Sequence, residues 1–388
     1  MFEIDPFLYY TVILTVAATV SAFLAQVVRL PAILTHIVAG VVIGPYVLGL
    51  VADQSVIKHL GEFGIILLLF FIGMEISLRD IAEHWRIIIM STLFHAVLVI
   101  GTVALFGSVL DWPVGRSVLL GMVVSLSSTA VLLRYLEEHD MLGTKLGREV
   151  SGILIMQDLM VIPMLLTITI LGSNRDPGAL VAQTVLSLVA LGVVVGLTQL
   201  AIHTTRRLHI VERISHIVHD AEAGLLMGIT LCFGFAFVTS ALDLSPGLGA
   251  FIAGLVYANL NMPDKIRKRI LPFKIFFLAL FFMSIGLLVN IPFLLDALPI
   301  VLFLVFLVLG LNTLIRMVYF RMLGESWQYS LHASSLLAHV GEFGFFIASA
   351  GYAAGMITTY AYELTVIMIA VSILLSPLWI RAFARFAP

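Results

Sequence analysis

The chain has 388 residues, of which 61% are hydrophobic and 11% charged, and its formal net charge is −2 at pH 7. Soluble domains are about 45–50% apolar and about 25% charged, so a cytosolic enzyme folded around one core is excluded. A nucleic-acid binder, which needs a basic face, is excluded too, and the lone Cys232 leaves no disulfide framework or cysteine-based metal site.

A helix needs about 20 apolar residues to cross a bilayer. Apolar runs between charged or Pro/Gly breaks predict thirteen transmembrane helices, at 7–28, 32–50, 59–77, 87–110, 115–136, 149–171, 179–203, 219–241, 247–260, 272–291, 297–320, 327–352 and 360–381. The pattern is that of an all-α polytopic membrane protein. Glu3 and Asp5 precede the first span where a cleavable signal would carry Lys or Arg, so that span is expected to stay as a helix. Seventeen of the 21 lysines and arginines fall in the odd-numbered loops and the C-terminal tail. Only Lys58, Arg116 and Arg175 fall on the other side, and Arg316 lies inside span 11. The positive-inside rule then places the N-terminus outside and the C-terminus in the cytoplasm.

Two strings recur in order. Ala39-Gly40-Val41-Val42 in span 2 returns as Ala253-Gly254-Leu255-Val256 in span 9, and LLLFFIG at 67–73 returns as LALFFMSIG at 278–286. The copies are seven spans apart, an odd number, so they enter the membrane from opposite sides. This predicts inverted repeats over roughly residues 32–171 and 247–381 within a single transporter domain, the arrangement of many secondary transporters.

A carboxylate at mid-bilayer costs several kcal/mol if charged, so each one is a functional candidate. Span 5 carries Ser125, Ser127, Ser128 and Thr129, hydroxyls that compete with helical bonding and mark a segment able to unwind around an ion. Close packing by small residues is the competing reading. In span 6, Asp158 lies beside Gln157 and five residues before Pro163, which frees a backbone carbonyl. A carboxylate there can take a proton or hold a cation. Arg316 in span 11 either snorkels to the cytoplasmic end or pairs with Glu342 or Asp158 in the core. Glu342, between Gly341 and Gly344 in span 12, suggests a second interruption and serves best to neutralise its backbone. Glu62 and Glu75 read as near-interfacial, and His203, His209, His216 and His219 as loop residues. His36, His95 and His339 read as hydrogen-bonded or cavity-lining.

These residues, in QDLMVIP around Asp158, in SLSSTAVLL, in PGLGAFIAGLVYAN with LPFKIFFLALFFMSIGLLVNI, and in HVGEFGFF, resemble the Kef-type branch of the monovalent cation:proton antiporters. The resemblance runs from span 2 to span 13. It implies the sodium/proton antiporter-like fold, with spans 5 and 12 interrupted and crossing beside span 6, and a homodimer in a bacterial inner membrane. It implies that Asp158 binds cation and proton, with Gln157 matching the potassium-handling pattern, and that Arg316 is a core basic residue. Kef-type chains continue into a cytoplasmic nucleotide-binding regulatory domain, whose GxGxxG turn is not found before the sequence ends in FARFAP.

The expectation is therefore a secondary transporter, not an enzyme. It exchanges K+ for H+ one for one without a cofactor, Asp158 being assisted by Gln157, Thr129, Ser127 and Ser128. The alternatives are a Na+/H+ antiporter of the same fold and, further off, a gated potassium channel. No TVGYG-like filter supports the channel, and neither HExxH nor GxSxG supports an intramembrane enzyme. Partners are lipid and a second copy, with a regulatory domain or subunit beyond this chain.

Overall fold

The structure is a computed structural model that describes residues 6–28, 32–75, 85–172, 221–241, 246–258 and 264–384. Among the described residues all regular structure is helical: α1 (Pro6–Val28), α2 (Ala32–Ile43), α3 (Gln54–Glu75), α4 (Trp85–Val109), α5 (Val114–Ser125), α6 (Thr129–Glu138), α7 (Lys145–Leu171), α8 (Ala221–Ala241), α9 (Pro246–Ala258), α10 (Asp264–Leu287), α11 (Ile291–Met322), α12 (Trp327–Leu336), α13 (Glu342–Ala353) and α14 (Thr359–Ala384). Six of these are long and apolar enough to cross a membrane, and shorter apolar helices accompany them. Span 5 is the pair α5 and α6, and span 12 the pair α12 and α13. The span expected at 179–203 lies outside the described residues, as do His203, His209, His216 and His219.

Local chemistry explains the helix ends. The second span is shorter than its apolar run: α2 stops at Ile43 because Gly44-Pro45 follows, and a proline disfavours helical backbone in the residue before it. The chain turns back there, with Gly49 at φ 64° and its N–H donating to the Gly44 carbonyl at 2.8 Å. Thr144 caps α7 by accepting from the Gly147 N–H at 3.0 Å, and Asn290 caps α11 through the Phe293 N–H. Helix α10 begins eight residues before the predicted span and runs through Pro272.

The chain divides into two compact units, Met1–Ile76 with Ser173–Leu288, and Ser77–Gly172 with Val289–Pro388. In the first, glycines bring helices into backbone contact. A Cβ on Gly40 would overlap the Met283 backbone, and one on Gly286 the Ile37 carbonyl, which closes α2 onto α10. Gly254 meets the Phe70 carbonyl and Gly73 the Phe251 carbonyl in the same way, which closes α3 onto α9. Moving Gly40 and Ile37 forward by 214 residues, and Phe70 and Gly73 by 213, converts one pair of contacts into the other. Helix starts keep the same spacing: Val114 and Trp327, Thr129 and Glu342, and Ala32 and Pro246 are 213 or 214 apart.

Outer faces are apolar, as lipid requires. On α1, Val12, Val16 and Val20 share one exposed stripe at helical spacing, and on α4 Val97, Leu105 and Val109 are exposed. The second unit buries Leu132, Leu136, Val150, Ile153, Phe320 and Leu336 in one apolar cluster. Beside them it also buries Gln157, Asp158, Asn312, Arg316 and Glu342. That polar interior is where the interrupted helices meet.

Candidate functional site

Helix α5 ends because Ser125-Leu126-Ser127-Ser128 offers hydroxyls in place of a continued ladder. Leu126 is extended (φ −92°, ψ 128°), and the Ser128 hydroxyl accepts from the Val131 N–H at 3.3 Å, capping α6. Helix α12 ends at Leu336, and Gly341, extended at φ −93° and ψ 176°, precedes α13. Glu342 stands in the first turn of α13, where the helix dipole favours a carboxylate.

The two interruptions cross in direct contact. The Gly341 N–H donates to the Leu126 carbonyl at 2.9 Å, and the Ser127 hydroxyl donates to the Leu337 carbonyl at 2.7 Å. A Cβ on Gly341 would land on the carbonyl of Ser127, so the crossing requires glycine for space rather than for an unusual φ.

Unwinding a helix orphans N–H and carbonyl groups that lipid cannot satisfy, and side chains from three other helices take them up. Gln157 of α7 uses both ends of its amide: Nε2 donates to the Ser125 carbonyl at 2.7 Å, and Oε1 accepts from the Ser127 N–H at 3.3 Å. Ser372 of α14 does the matching task in the other interruption, accepting from the Val340 N–H at 3.3 Å. Asn312 of α11 donates from Nδ2 to the Val124 carbonyl at 3.0 Å and the Ala338 carbonyl at 2.8 Å.

Asp158 follows Gln157 and is buried, with 8% of its surface exposed. The Thr129 hydroxyl donates to both carboxylate oxygens, at 3.2 and 3.1 Å. Thr129 is the first residue of α6, so the carboxylate sits at the N-terminus of a half-helix, where partial positive charge accumulates. Five residues on, Pro163 stands inside α7 and removes the N–H that the Leu159 carbonyl would accept. A buried oxyanion beside a hydroxyl and unwound backbone is able to exchange a proton for a dehydrated cation.

Arg316 does not snorkel: it is 1% exposed. One of its terminal nitrogens donates to the Ser127 hydroxyl at 3.2 Å and lies 3.1 Å from His95 Nδ1. The guanidinium therefore supports the interruption through Ser127 and meets His95 of α4. His339 is fully buried in the second interruption, and His36 pairs with Ser21 in the first unit at 2.7 Å. Glu62 is exposed on α3, and Glu75 is its last residue.

The structure thus brings Asp158, Gln157, Thr129, Ser127, Ser128 and Arg316 together at one crossing, with Glu342 next to Gly341 in the chain. Sequence reasoning missed Asn312 and Ser372. Asn312 had a usable signal, a lone amide inside an apolar span and one turn before Arg316. Ser372 had none, because single serines are ordinary in membrane helices.

The family model of the transmembrane sodium/hydrogen exchangers matches residues 12–385. Among similar proteins is the iron transporter MagA of Paramagnetospirillum magneticum, 35% identical over 380 residues that make up 98% of this chain and 86% of MagA. The glutathione-regulated potassium-efflux system protein KefC of Salmonella heidelberg is 27% identical over 359 residues, 92% of this chain. This chain spans 57% of KefC's length. The sodium proton antiporter MjNhaP1 of Methanocaldococcus jannaschii shares the fold, with a TM-score of 0.66 at 16% identity, covering 96% of this chain and 95% of MjNhaP1. The chain is an integral membrane protein of the sodium/hydrogen exchanger family, a family of cation/proton antiporters and not of enzymes.

Proposed function

We propose that the chain exchanges K+ for H+, one for one, at Asp158. The observation that carries this reading is the buried carboxylate bonded by Thr129 at the start of a half-helix, within a crossing of two interrupted helices. One oxyanion holds either a proton or a dehydrated cation, and the two compete. An empty, charged carboxylate facing the bilayer barrier is penalised, so the site crosses only when loaded, which couples the two fluxes. One charge out for one charge in is electroneutral. Thr129 contacts the carboxylate directly, while Gln157, Ser127 and Ser128 hold the unwound backbone beside it. Arg316 and Glu342 stand beside that backbone and neutralise the ends of the broken helices. Potassium is favoured by the Kef-type motif with Gln157 and by the likeness to KefC.

In this reading the unit of Ser77–Gly172 and Val289–Pro388 carries the site and moves so that Asp158 opens to one side of the membrane at a time. Further parts of the proposal are inverted repeats, supported by the reciprocal glycine contacts, a homodimer in a bacterial inner membrane with the C-terminus in the cytoplasm, and a regulatory domain or subunit beyond this chain. Sodium is the second reading, favoured by the family and by the fold shared with MjNhaP1.

The test is proton movement in proteoliposomes, followed with a trapped pH dye on adding K+, Na+, Li+, ferrous iron or choline, and with a potential-sensitive dye alongside. The expected result is K+-driven proton flux, weaker flux with Na+, no potential change, and silence in Asp158→Asn. Dominant Na+ flux replaces potassium with sodium. Flux that survives in Asp158→Asn removes the carboxylate from the mechanism.

A further inference from the structure

We propose that Asn312 is the positioning residue of the site: it sets the register of the two interrupted helices and so the approach of Thr129 to Asp158. The inference rests on the Asp158 reading and goes beyond it, because Asn312 touches neither carboxylate nor cation.

Three successive carbonyls at the end of α5 lose their helical partners and are taken by three different elements. Val124 goes to Asn312, Ser125 to Gln157, and Leu126 to the Gly341 N–H. Only Asn312 also reaches the carbonyl of the opposite interruption, at Ala338. Val124 and Ala338 are 214 residues apart, within one residue of the 213 that separates the starts of α5 and α12 and of α6 and α13. One amide therefore ties a carbonyl of each interruption at nearly corresponding positions, and a pair of N–H donors on one nitrogen is what that geometry asks for. Serine or threonine offers one donor, an ionised aspartate none, and glutamine is a methylene too long for the same seat. Packing alone does not explain an amide here. Asn312 is 0% exposed on a largely apolar helix, where leucine would fill space without desolvating a polar group. Arg316 lies one turn along the same helix and bonds Ser127, so α11 presents two successive polar rungs to the crossing. Thr129 is five residues beyond the clamped Val124. Slack in the interruption is therefore passed to the hydroxyl that bonds Asp158.

Two measurements test this on the full chain. Hydrogen exchange by mass spectrometry on Asn312→Ala should show faster uptake in peptides covering both interruptions, 122–132 and 335–345, with the rest of that unit unchanged. Uptake that rises in one interruption only, or throughout the unit, overturns the clamp. In proteoliposomes Asn312→Ala should raise the half-saturating K+ concentration by about tenfold, as expected for loss of two hydrogen bonds expressed partly at the site, while the maximal rate stays within about twofold. Asn312→Ser, with one donor, should lie between the two and serves if the alanine variant fails to fold. In a Thr129→Val background Asn312→Ala should add less than about twofold, because both changes act through one contact, whereas independent sites add. Additive effects, or unchanged half-saturation in Asn312→Ala, refute the positioning role. Should the wild type move no protons with any cation, the transport reading falls, and hydrogen exchange still decides whether Asn312 holds both interruptions.

Discussion

Gly341→Ala is the sharpest test of the crossing. The added methyl would fall on the Ser127 carbonyl, with the Ser128 nitrogen 2.7 Å away. These are backbone atoms that cannot rotate aside, so the interruptions must separate. The two bonds beside the contact, Gly341 N–H to the Leu126 carbonyl at 2.9 Å and Ser127 hydroxyl to the Leu337 carbonyl at 2.7 Å, lengthen together. Overpacking costs about 1–3 kcal/mol and each buried hydrogen bond about 1 kcal/mol, so the loss is about 3–5 kcal/mol. At about 2–4 °C per kcal/mol for a unit of this size, melting falls by roughly 6–20 °C. Detergent-solubilised protein followed by fluorescence-detected size exclusion across a temperature series reads this directly. Gly101→Ala is the control: nothing lies within 4 Å of its added Cβ, and in mid-helix alanine is favoured over glycine by up to about 1 kcal/mol. If Gly341→Ala melts within about 2 °C of wild type, the backbone contact at the crossing is wrong.

Thr129→Val keeps the shape and removes the donor to Asp158. A hydrogen bond to a charged group contributes about 1.5–3 kcal/mol, and the long shared geometry points to the lower end. The half-saturating cation concentration should therefore rise about tenfold in vesicle assays, with melting nearly unchanged. Gln157→Leu leaves the Ser125 carbonyl and the Ser127 N–H without partners at about 1–3 kcal/mol each. Thermal melting should fall by about 4 °C or more, and a variant that melts like wild type would free Gln157 for the cation instead. Lys145 meets Glu325 at 2.6 Å but is 58% exposed, so Lys145→Met should cost no more than about 1 kcal/mol, read as a melting shift within about 4 °C.

Helix placement was legible because lipid demands long apolar runs and charges mark their ends. Asp158, Glu342 and the serine-rich stretch stood out for the same reason, as polarity where hydrocarbon forbids it. The repeat was legible through Gly40 and Gly254, since close backbone approach tolerates little else. Uniform apolarity hides other things. In a helix that is hydrophobic all round, periodicity does not say which face meets which neighbour. It gave no hint that α2 packs on α10, nor that α10 continues into the basic run.

The sequence by itself determined that this is a many-span membrane protein with a carboxylate inside its sixth expected span, and it marked the fifth and twelfth as candidates for interruption. Tertiary structure alone decided what those groups do for one another. Gln157 spends its amide on backbone 30 and 32 residues away, Arg316 reaches Ser127 across 189, and Asn312 joins carbonyls 188 residues behind it and 26 ahead. Hydrogen bonds are made at about 3 Å, and no composition or spacing reports which distant groups the packed helices bring within that distance. The orphaned backbone of a broken helix must be satisfied, and only the fold names the side chains that satisfy it.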